Sequence, residues 1–353
     1  MFLSVLIDTY NHERFIERAI SSVLDQDFPA GQREIIVLDD GSMDRTPELV
    51  RQFEPRLRLI RKRNGGQASA FNAGIPECRG DILVFLDGDD WWAKGKLRRI
   101  SQVFSEYSSL GMVGHAFIES FADGSERVIA PGKLQFLRLN TSVSANIFRL
   151  SRCYFGTSRL ALRATLARRL LPIPEALIFE ADEYLFTAAA GLAECAILPD
   201  PLTHYRIHTG NLYLAAGASS EGERRKQRVL ESLTEALRTT LPALGTPTQA
   251  VVPLLELLQS EATQLRLKLD GGWPLETFRT ENNIYRIQHA DAGWKSRAFR
   301  ALSMLPALVL PPRWFYSGRQ WLASQLWYRR IRESYIPVPG FTKIDASPHD
   351  GPL

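Results

Sequence analysis

Residues 82–90 read Ile82-Leu83-Val84-Phe85-Leu86-Asp87-Gly88-Asp89-Asp90, an apolar, β-forming run that passes directly into an acidic turn. A continuous apolar stretch of this length fits a strand buried on both faces. Acids rarely close such a strand without a task, because like charges this near repel unless a cation or donor groups hold them. The pattern has an upstream counterpart in Glu34–Leu38, followed by Asp39-Asp40-Gly41-Ser42. The first cluster suits recognition of polar NH and OH groups, and the second suits a divalent cation carrying a diphosphate.

Around these two runs the first hundred residues alternate in type. Phe2–Ile7 reads as a buried strand, and Phe15, Ile16, Ala19, Ile20, Val23 and Leu24 then recur at helical spacing. Thr46-Pro47 offers a helix N-cap and first turn, with the helix running to about Phe53. Leu57–Ile60 is a further strand, and Gln67 to Ile75 a helix before the strand at Ile82–Leu86. Strand–helix alternation with unbroken apolar strands predicts an α/β fold, a mostly parallel sheet with helices on both faces. Ligands of such sheets bind outside the carboxyl ends of the strands, where Asp8, Asp39/Asp40 and Asp87/Asp89 converge. Helices are expected at 97–107 and 182–191, and beyond Gly210 at Glu221–Thr239 and Val251–Leu269. The predicted organisation is a catalytic domain over 1–212, a helical region over 213–336 and a loosely ordered tail over 337–353.

Composition narrows the classes. A chain of 353 residues, 45% hydrophobic and 23% charged, has room for one large α/β domain and a smaller appended one. Cys78, Cys153 and Cys195 are widely spaced with no CxxC pair, which argues against a disulfide framework or zinc site and for a reducing cytosol. The N-terminal apolar run is short and lacks a basic flank, unlike a signal peptide. Ala301–Leu310 contains Pro306 and is too short to span a bilayer. The net charge of +4 is small but uneven: 286–332 holds nine Lys/Arg and one acid, Asp291.

Each motif has a bland reading beside its functional one. Asp-Gly-Ser at 40–42 is common turn chemistry, and Asp87-Gly88-Asp89 would, as the alternative, be an acidic turn. A hard cation such as Mg²⁺ or Mn²⁺ takes one or two carboxylates plus phosphate oxygens, which fits Asp87 and Asp89, while the small Gly88 leaves room for a phosphorylated ligand. Asn64-Gly65-Gly66-Gln67 opens a helix whose backbone N–H groups suit phosphate or ribose. Glu180, Asp182 and Glu183 sit at a helix start that the helix dipole alone would favour.

Taken in order, Asp8-Thr9-Tyr10-Asn11, Val37–Asp44, Asn64-Gly65-Gly66 with Phe71-Asn72-Ala73-Gly74, and Phe85–Asp90 resemble the family-2 glycosyltransferases, over roughly residues 1–210. That resemblance implies the GT-A nucleotide-diphospho-sugar transferase fold and a metal-dependent, inverting transfer from a nucleoside-diphosphate sugar to an acceptor hydroxyl of a glycan or lipid-linked acceptor. It implies that Asp8 and Tyr10 flank the nucleobase, that Thr9 and Glu13 also bind substrate, and that Asp40 accepts from the imide N–H of the base, which makes uridine the default. Gly65, Gly66 and Asn72 would line ribose and phosphate. Asp87 would touch ribose or metal, Asp89 would be the principal ligand of Mg²⁺ or Mn²⁺, and His208 an extra one. Asp182 would be the catalytic base, with Glu180 and Glu183 as the alternatives, Thr157 on the acceptor side and His204 structural. The chain departs from the family pattern at Asp8, where Pro is usual, and at Ala181, where an acid is usual.

Two other classes compete. A nucleotidyltransferase would want a Gly-rich phosphate loop with Arg/Lys after the first strand, and the chain has Asp8-Thr9-Tyr10-Asn11 there. A catalytically inactive binding subunit of a polysaccharide assembly would release no nucleoside diphosphate. In the C-terminal region Trp314, Trp321 and Tyr328 recur every seven residues, with Arg319, Arg329, Arg330 and Arg332 nearby. This stripe either packs as core or lies on anionic lipid, placing the enzyme in the cytoplasm, peripheral at the inner membrane face. No nucleic-acid-binding module accompanies the basic residues.

Overall fold

The computed structural model describes residues 1–208, 210–211, 219–288 and 293–325. These fall into two compact units, one of 1–139 with 151–208, the other of 140–150 with 210–325. The segment 140–150, inside the expected first domain, thus groups with the helices, where Gln249 Nε2 donates to the Asn140 carbonyl at 3.1 Å. Tyr328, Arg329, Arg330 and Arg332 and the expected tail lie outside the described residues.

In the first unit β1 (Leu3–Thr9), β2 (Arg33–Asp39), β3 (Arg58–Arg61) and β4 (Ile82–Asp87) pair in parallel in the order β3-β2-β1-β4. Side chains alternate across each strand. Leu3, Val5 and Ile7 of β1 join Ile35, Val37, Ile82, Val84 and Leu86 on one face, covered by Ile16, Ala19, Ile20 and Val23 of α1 (Ile16–Leu24) and by Leu97, Ile100 and Phe104 of α2 (Lys96–Glu106). On β4 the residues between, including Phe85, point the other way, and Phe85 meets Phe71 of α3 (Gln67–Gly74) edge-on at 5.2 Å. The unbroken apolar run is therefore buried twice, as its composition requires.

Past β4 the sheet turns mixed. It continues through β5 (Ala161–Arg163) and β6 (Leu110–Ser120) to β7 (Glu194–Arg206) and β8 (Trp91–Trp92), with antiparallel pairs except between β6 and β7. This brings the end of β7, residues 203–206, back beside the turn that follows β4. The helix expected at 182–191 is α4 (Ala181–Leu192). Thr46 does not cap its own helix, Thr46–Arg51: its Oγ1 accepts from His12 N at 2.9 Å, while the Asp44 carboxylate accepts from Thr46 N at 3.0 Å. The hydroxyl is spent tying the loop after β1 to the loop after β2.

The second unit is helical: α5 (Ser220–Ala243), α6 (Thr248–Asp270), α7 (Pro274–Gln288), α8 (Trp294–Met304) and α9 (Pro312–Ser324). Its polar centre is Glu281, only 1% exposed, which accepts from Gln264, Arg300 and Arg319. Burial opposes ionisation of this carboxyl, yet Arg319, Gln264 and Arg300 more than offset it and hold it below the ordinary carboxylate range. A depressed folded value stabilises the fold above the unfolded value of about 4.3, and the contribution is lost as pH falls through the folded value. Replacing Glu281 by Ala strands two arginines, and the expected loss is about 3–5 kcal/mol at neutral pH. In thermal melts across pH, the gap between Glu281→Ala and the parent is expected to close as the pH drops below that unfolded value.

Candidate active site

Parallel register brings the acids together. Asp8 is level with Leu38 on one side and with Asp87 on the other, so two carboxylates adjoin at the carboxyl edge. The turn after β4 is tied down by Gly88 N donating to Asp8 O at 2.8 Å and by Asp90 N donating to Asp87 O at 3.1 Å. The Asp89 carboxylate meets His208 Nε2 at 3.0 Å and His12 Nε2 at 4.0 Å. Asp90 accepts from Arg206 N at 2.8 Å, and Arg206 Nε donates to Asp89 O at 2.8 Å.

Asp182 joins this group from α4. Glu180, just before the helix, holds a left-handed φ of 63°, a backbone state costly for a residue with a side chain and concentrated at functional sites. Thr157 donates to Asp182 Oδ2 from both N (2.9 Å) and Oγ1 (3.0 Å). Gln67 ties the pair to the helix start: its Nε2 donates to Thr157 Oγ1 at 3.0 Å and its Oε1 accepts from Ala181 N at 3.0 Å. Glu183 is engaged elsewhere, in an ion pair with Arg152 at 3.2 Å.

Their electrostatics follow from this crowding. Burial, then the charges of Asp182 and Asp89, push Asp8 up to about 7. Burial and Asp89 push Asp90 up to about 7 as well. Asp87 rises well above the ordinary carboxylate range through burial, then Asp8, Asp90 and Asp89. Asp89 goes the other way: burial would raise it, but the His208 hydrogen bond and the charges of His12 and His208 more than offset that. His12 is lowered by burial, against the pull of Asp89.

The donor set suits a hard divalent cation. Asp8 Oδ1 is buried without a hydrogen-bond partner among the described residues, beside acids that repel one another. Among those residues no three His, Cys, Asp or Glu side chains are grouped to hold an ion alone. A cation that keeps phosphate oxygens as ligands asks for only one or two carboxylates, which Asp89 and Asp87 supply.

Several expected contacts have other occupants. A Cβ on Gly88 would lie 2.7 Å from Thr9 Oγ1 and 2.8 Å from His12 Nδ1, so the missing side chain lets Thr9 and His12 approach the turn. Gly66, at φ +84°, would put a Cβ 2.6 Å from Ile178 Cα, so it admits the 177–178 backbone. Asn72 engages both ends of its amide with Ile173, donating to the carbonyl at 2.8 Å and accepting from N at 2.7 Å, and so orders the 172–175 segment. The Glu13 carboxylate accepts from Arg45 N at 3.0 Å. Asp40 accepts from Lys62 Nζ (2.7 Å), Gly65 N (3.0 Å) and Gly66 N (2.7 Å), bracing the loop before α3. Tyr10 is 38% exposed at the rim. His204 stacks on Trp91 with ring centres 4.7 Å apart, a packing role.

Other participants were not singled out from the sequence. His12 directly follows the Asp8–Asn11 motif, and Arg206 lies between His204 and His208, so position marked both. Arg206 also lies over Phe15 at 4.8 Å and Trp91 at 4.5 Å, clamping the end of β7. Lys96 gave no sign: a lysine on an amphipathic helix reads as solvated, yet it is 0% exposed. Its Nζ donates to Ser158 O (2.7 Å) and Thr203 Oγ1 (3.1 Å). Burial, then Arg159, lowers its pKa well below that of an exposed lysine. Ser158 in turn donates to Asp87 at 3.2 Å.

Comparison with known proteins agrees with this geometry. The family model described as glycosyl transferase family 2 matches residues 4–166. An uncharacterised glycosyltransferase of Nostoc sp. is 33% identical over 253 residues, covering 69% of this chain and 77% of its own length. Staphylococcus aureus TarS, a poly(ribitol-phosphate) β-N-acetylglucosaminyltransferase, is 31% identical over 113 residues, which is 31% of this chain and 20% of TarS. Residues 1–349 of TarS, solved with UDP, superpose with a TM-score of 0.51 at 19% identity, over 82% of this chain and 91% of that one. The mannosyltransferase PcManGT of Pyrobaculum calidifontis, solved with GDP-Man and Mn²⁺, gives a TM-score of 0.53 at 19% identity, over 94% and 87%. The architecture shared with these two structures is the GT-A fold. The chain belongs to glycosyltransferase family 2 and is a glycosyltransferase.

Because Asp40 braces its loop, Asp40→Asn is expected to destabilise the ligand-free protein by about 1.5–3 kcal/mol, the scale of one hydrogen bond to a charged group. An unchanged melting temperature without nucleotide would show that the brace contributes nothing.

Proposed function

We propose that this enzyme moves a sugar from a nucleoside-diphosphate sugar, a UDP-sugar first among them, to a hydroxyl of a glycan or lipid-linked acceptor, with Mg²⁺ or Mn²⁺ and with inversion at the anomeric carbon. The observation that carries the reading is the placement of Asp182, held by Thr157 and Gln67, within the field of Asp8 and Asp87. A base and an acid cluster fit for a diphosphate thus share one edge. The likeness to TarS with UDP favours uridine, while that to PcManGT with GDP-Man and Mn²⁺ favours a metal and keeps guanosine as the competing base. Peripheral association with the inner face of the membrane belongs to the same reading. No helix among the described residues is long and apolar enough to cross one.

Thr157 fixes one oxygen of Asp182 by two hydrogen bonds, so the carboxylate is oriented before the acceptor arrives. Asp182 takes the proton from the acceptor hydroxyl as that oxygen bonds to the anomeric carbon, and the bond from that carbon to the diphosphate oxygen breaks on the opposite face. Asp89, Asp87 and His208 are the residues that would hold the cation, which when bound offsets the charge of the departing diphosphate. Arg206 and Lys96 keep the turn carrying Asp87 and Asp89 in place.

Asp182→Asn is expected to cut kcat by about 10²–10⁴-fold while UDP still binds, since it removes a proton acceptor and little volume. Asp89→Ala is expected to erase any Mn²⁺-dependent rise in melting temperature with UDP, because ligand stabilisation follows mass action. Near-normal turnover of Asp182→Asn, or an unchanged Mn²⁺ effect in Asp89→Ala, would remove the corresponding role. A thermal-shift panel of UDP, dTDP and GDP, each with and without Mn²⁺, ranks the bases.

A further inference from the structure

A cleft of about 850 Å³ opens between α7, α8 and α9 of the helical unit, within the size range of ligand sites. Ile284, Phe299, Pro306, Trp314, Phe315 and Leu322 line it. Glu261, Gln264, Glu281, Arg300 and Arg319 line it too, and Glu281 already accepts from Gln264 and both arginines. A polar ligand would compete with that cluster, whereas a hydrocarbon chain lying on the apolar lining would not. At the rim Trp314 is 70% exposed and Trp321 62%, seven residues apart on α9, with Leu302 beside them at 69%. Tryptophan is the side chain favoured where water meets hydrocarbon.

Charge selects the partner. Within residues 293–325 Arg300 and Arg319 are taken up by Glu281, while the basic residues Lys295, Arg297 and Arg313 are exposed, and the segment contributes no acid of its own. A second copy placed face to face would oppose cations with cations, whereas an anionic bilayer complements them. Gly318 lies mid-helix in α9 and lines the cleft, and a Cβ there would meet nothing within 4 Å. Glycine inside a helix costs stability relative to most other residues, and at this position it keeps the cleft open.

We propose that the α7–α9 cleft receives the hydrocarbon chain of a lipid in an anionic bilayer, with Trp314 and Trp321 at the interface and the basic residues against the headgroups. The site rests on the peripheral-membrane part of the functional reading and on none of its donor or metal chemistry. The test is co-sedimentation of the full chain with vesicles of phosphatidylcholine alone or mixed with phosphatidylglycerol, without nucleotide. The parent is expected to partition onto the phosphatidylglycerol vesicles. Gly318→Leu, which grows into open space and improves helix propensity, is expected to melt no lower than the parent yet to partition about tenfold more weakly, the scale of roughly two methylenes of buried chain. Trp314→Ala with Trp321→Ala is expected to lose at least as much. Equal partitioning of Gly318→Leu and parent overturns the chain site while leaving charge-driven membrane contact in place. Failure of the parent to bind any vesicle overturns both. A parent dimer in sedimentation velocity that Trp321→Glu converts to monomer overturns the lipid as occupant. Release of nucleoside diphosphate from donor, measured in solution, reports separately on the glycosyltransfer reading.

Discussion

Mutual repulsion of buried carboxylates is the constraint around which the first unit is arranged. Parallel register between β1 and β4 forces Asp8 beside Asp87, and the turn after β4 adds Asp89 and Asp90. Four acids in one low-dielectric pocket cannot all ionise on equal terms. The structure separates them by partner: Asp89 receives His208 and the nearby His12, Asp90 receives the Arg206 backbone, and Asp8 and Asp87 are left to share the burden. The result is a site with one ionised anchor and adjoining groups that gain from an added positive charge.

The surrounding packing exists to hold that edge. Lys96 and Thr203 fix the Ser158 carbonyl, and Ser158 meets Asp87. Arg206 lies over Phe15 and Trp91, and Trp91 stacks on His204, so the start of α1, the acidic turn and the end of β7 form one aromatic and cationic ladder. Such stacks add directional attraction to apolar burial. The helix bearing Asp182 is joined to the same frame through Gln67 and Thr157. Positioning here depends on backbone-anchored pairs rather than on flexible surface ion pairs, which contribute little.

Much of this was legible in the sequence, and the reason is local. Strands β1, β2 and β4 announce themselves because a doubly buried strand must be apolar throughout, and the acids after them stand out against that background. The Asp182 neighbourhood was legible only through the family pattern, because an acidic helix start looks the same with or without a role. What stayed hidden depends on contacts far apart in sequence. Asn72 and Ile173 are 101 residues apart, and Lys96 and Thr203 are 107 apart. No periodicity encodes such pairs. The glycines are hidden in the same way: a missing Cβ reports that something comes close, and the chain's own neighbours at Gly88 and Gly66 are Thr9, His12 and Ile178.

The occupied oxygens of Asp40 carry a kinetic meaning. Any incoming base that asks this carboxylate for a hydrogen bond competes with Lys62 and the amides of Gly65 and Gly66 for the same lone pairs. Recognition at that position is then an exchange of partners, and the net gain is a difference between two comparable bonds. Under the proposed nucleotide reading, the base and the loop before α3 would take turns on one carboxylate, so binding and release would each carry a local rearrangement of that loop.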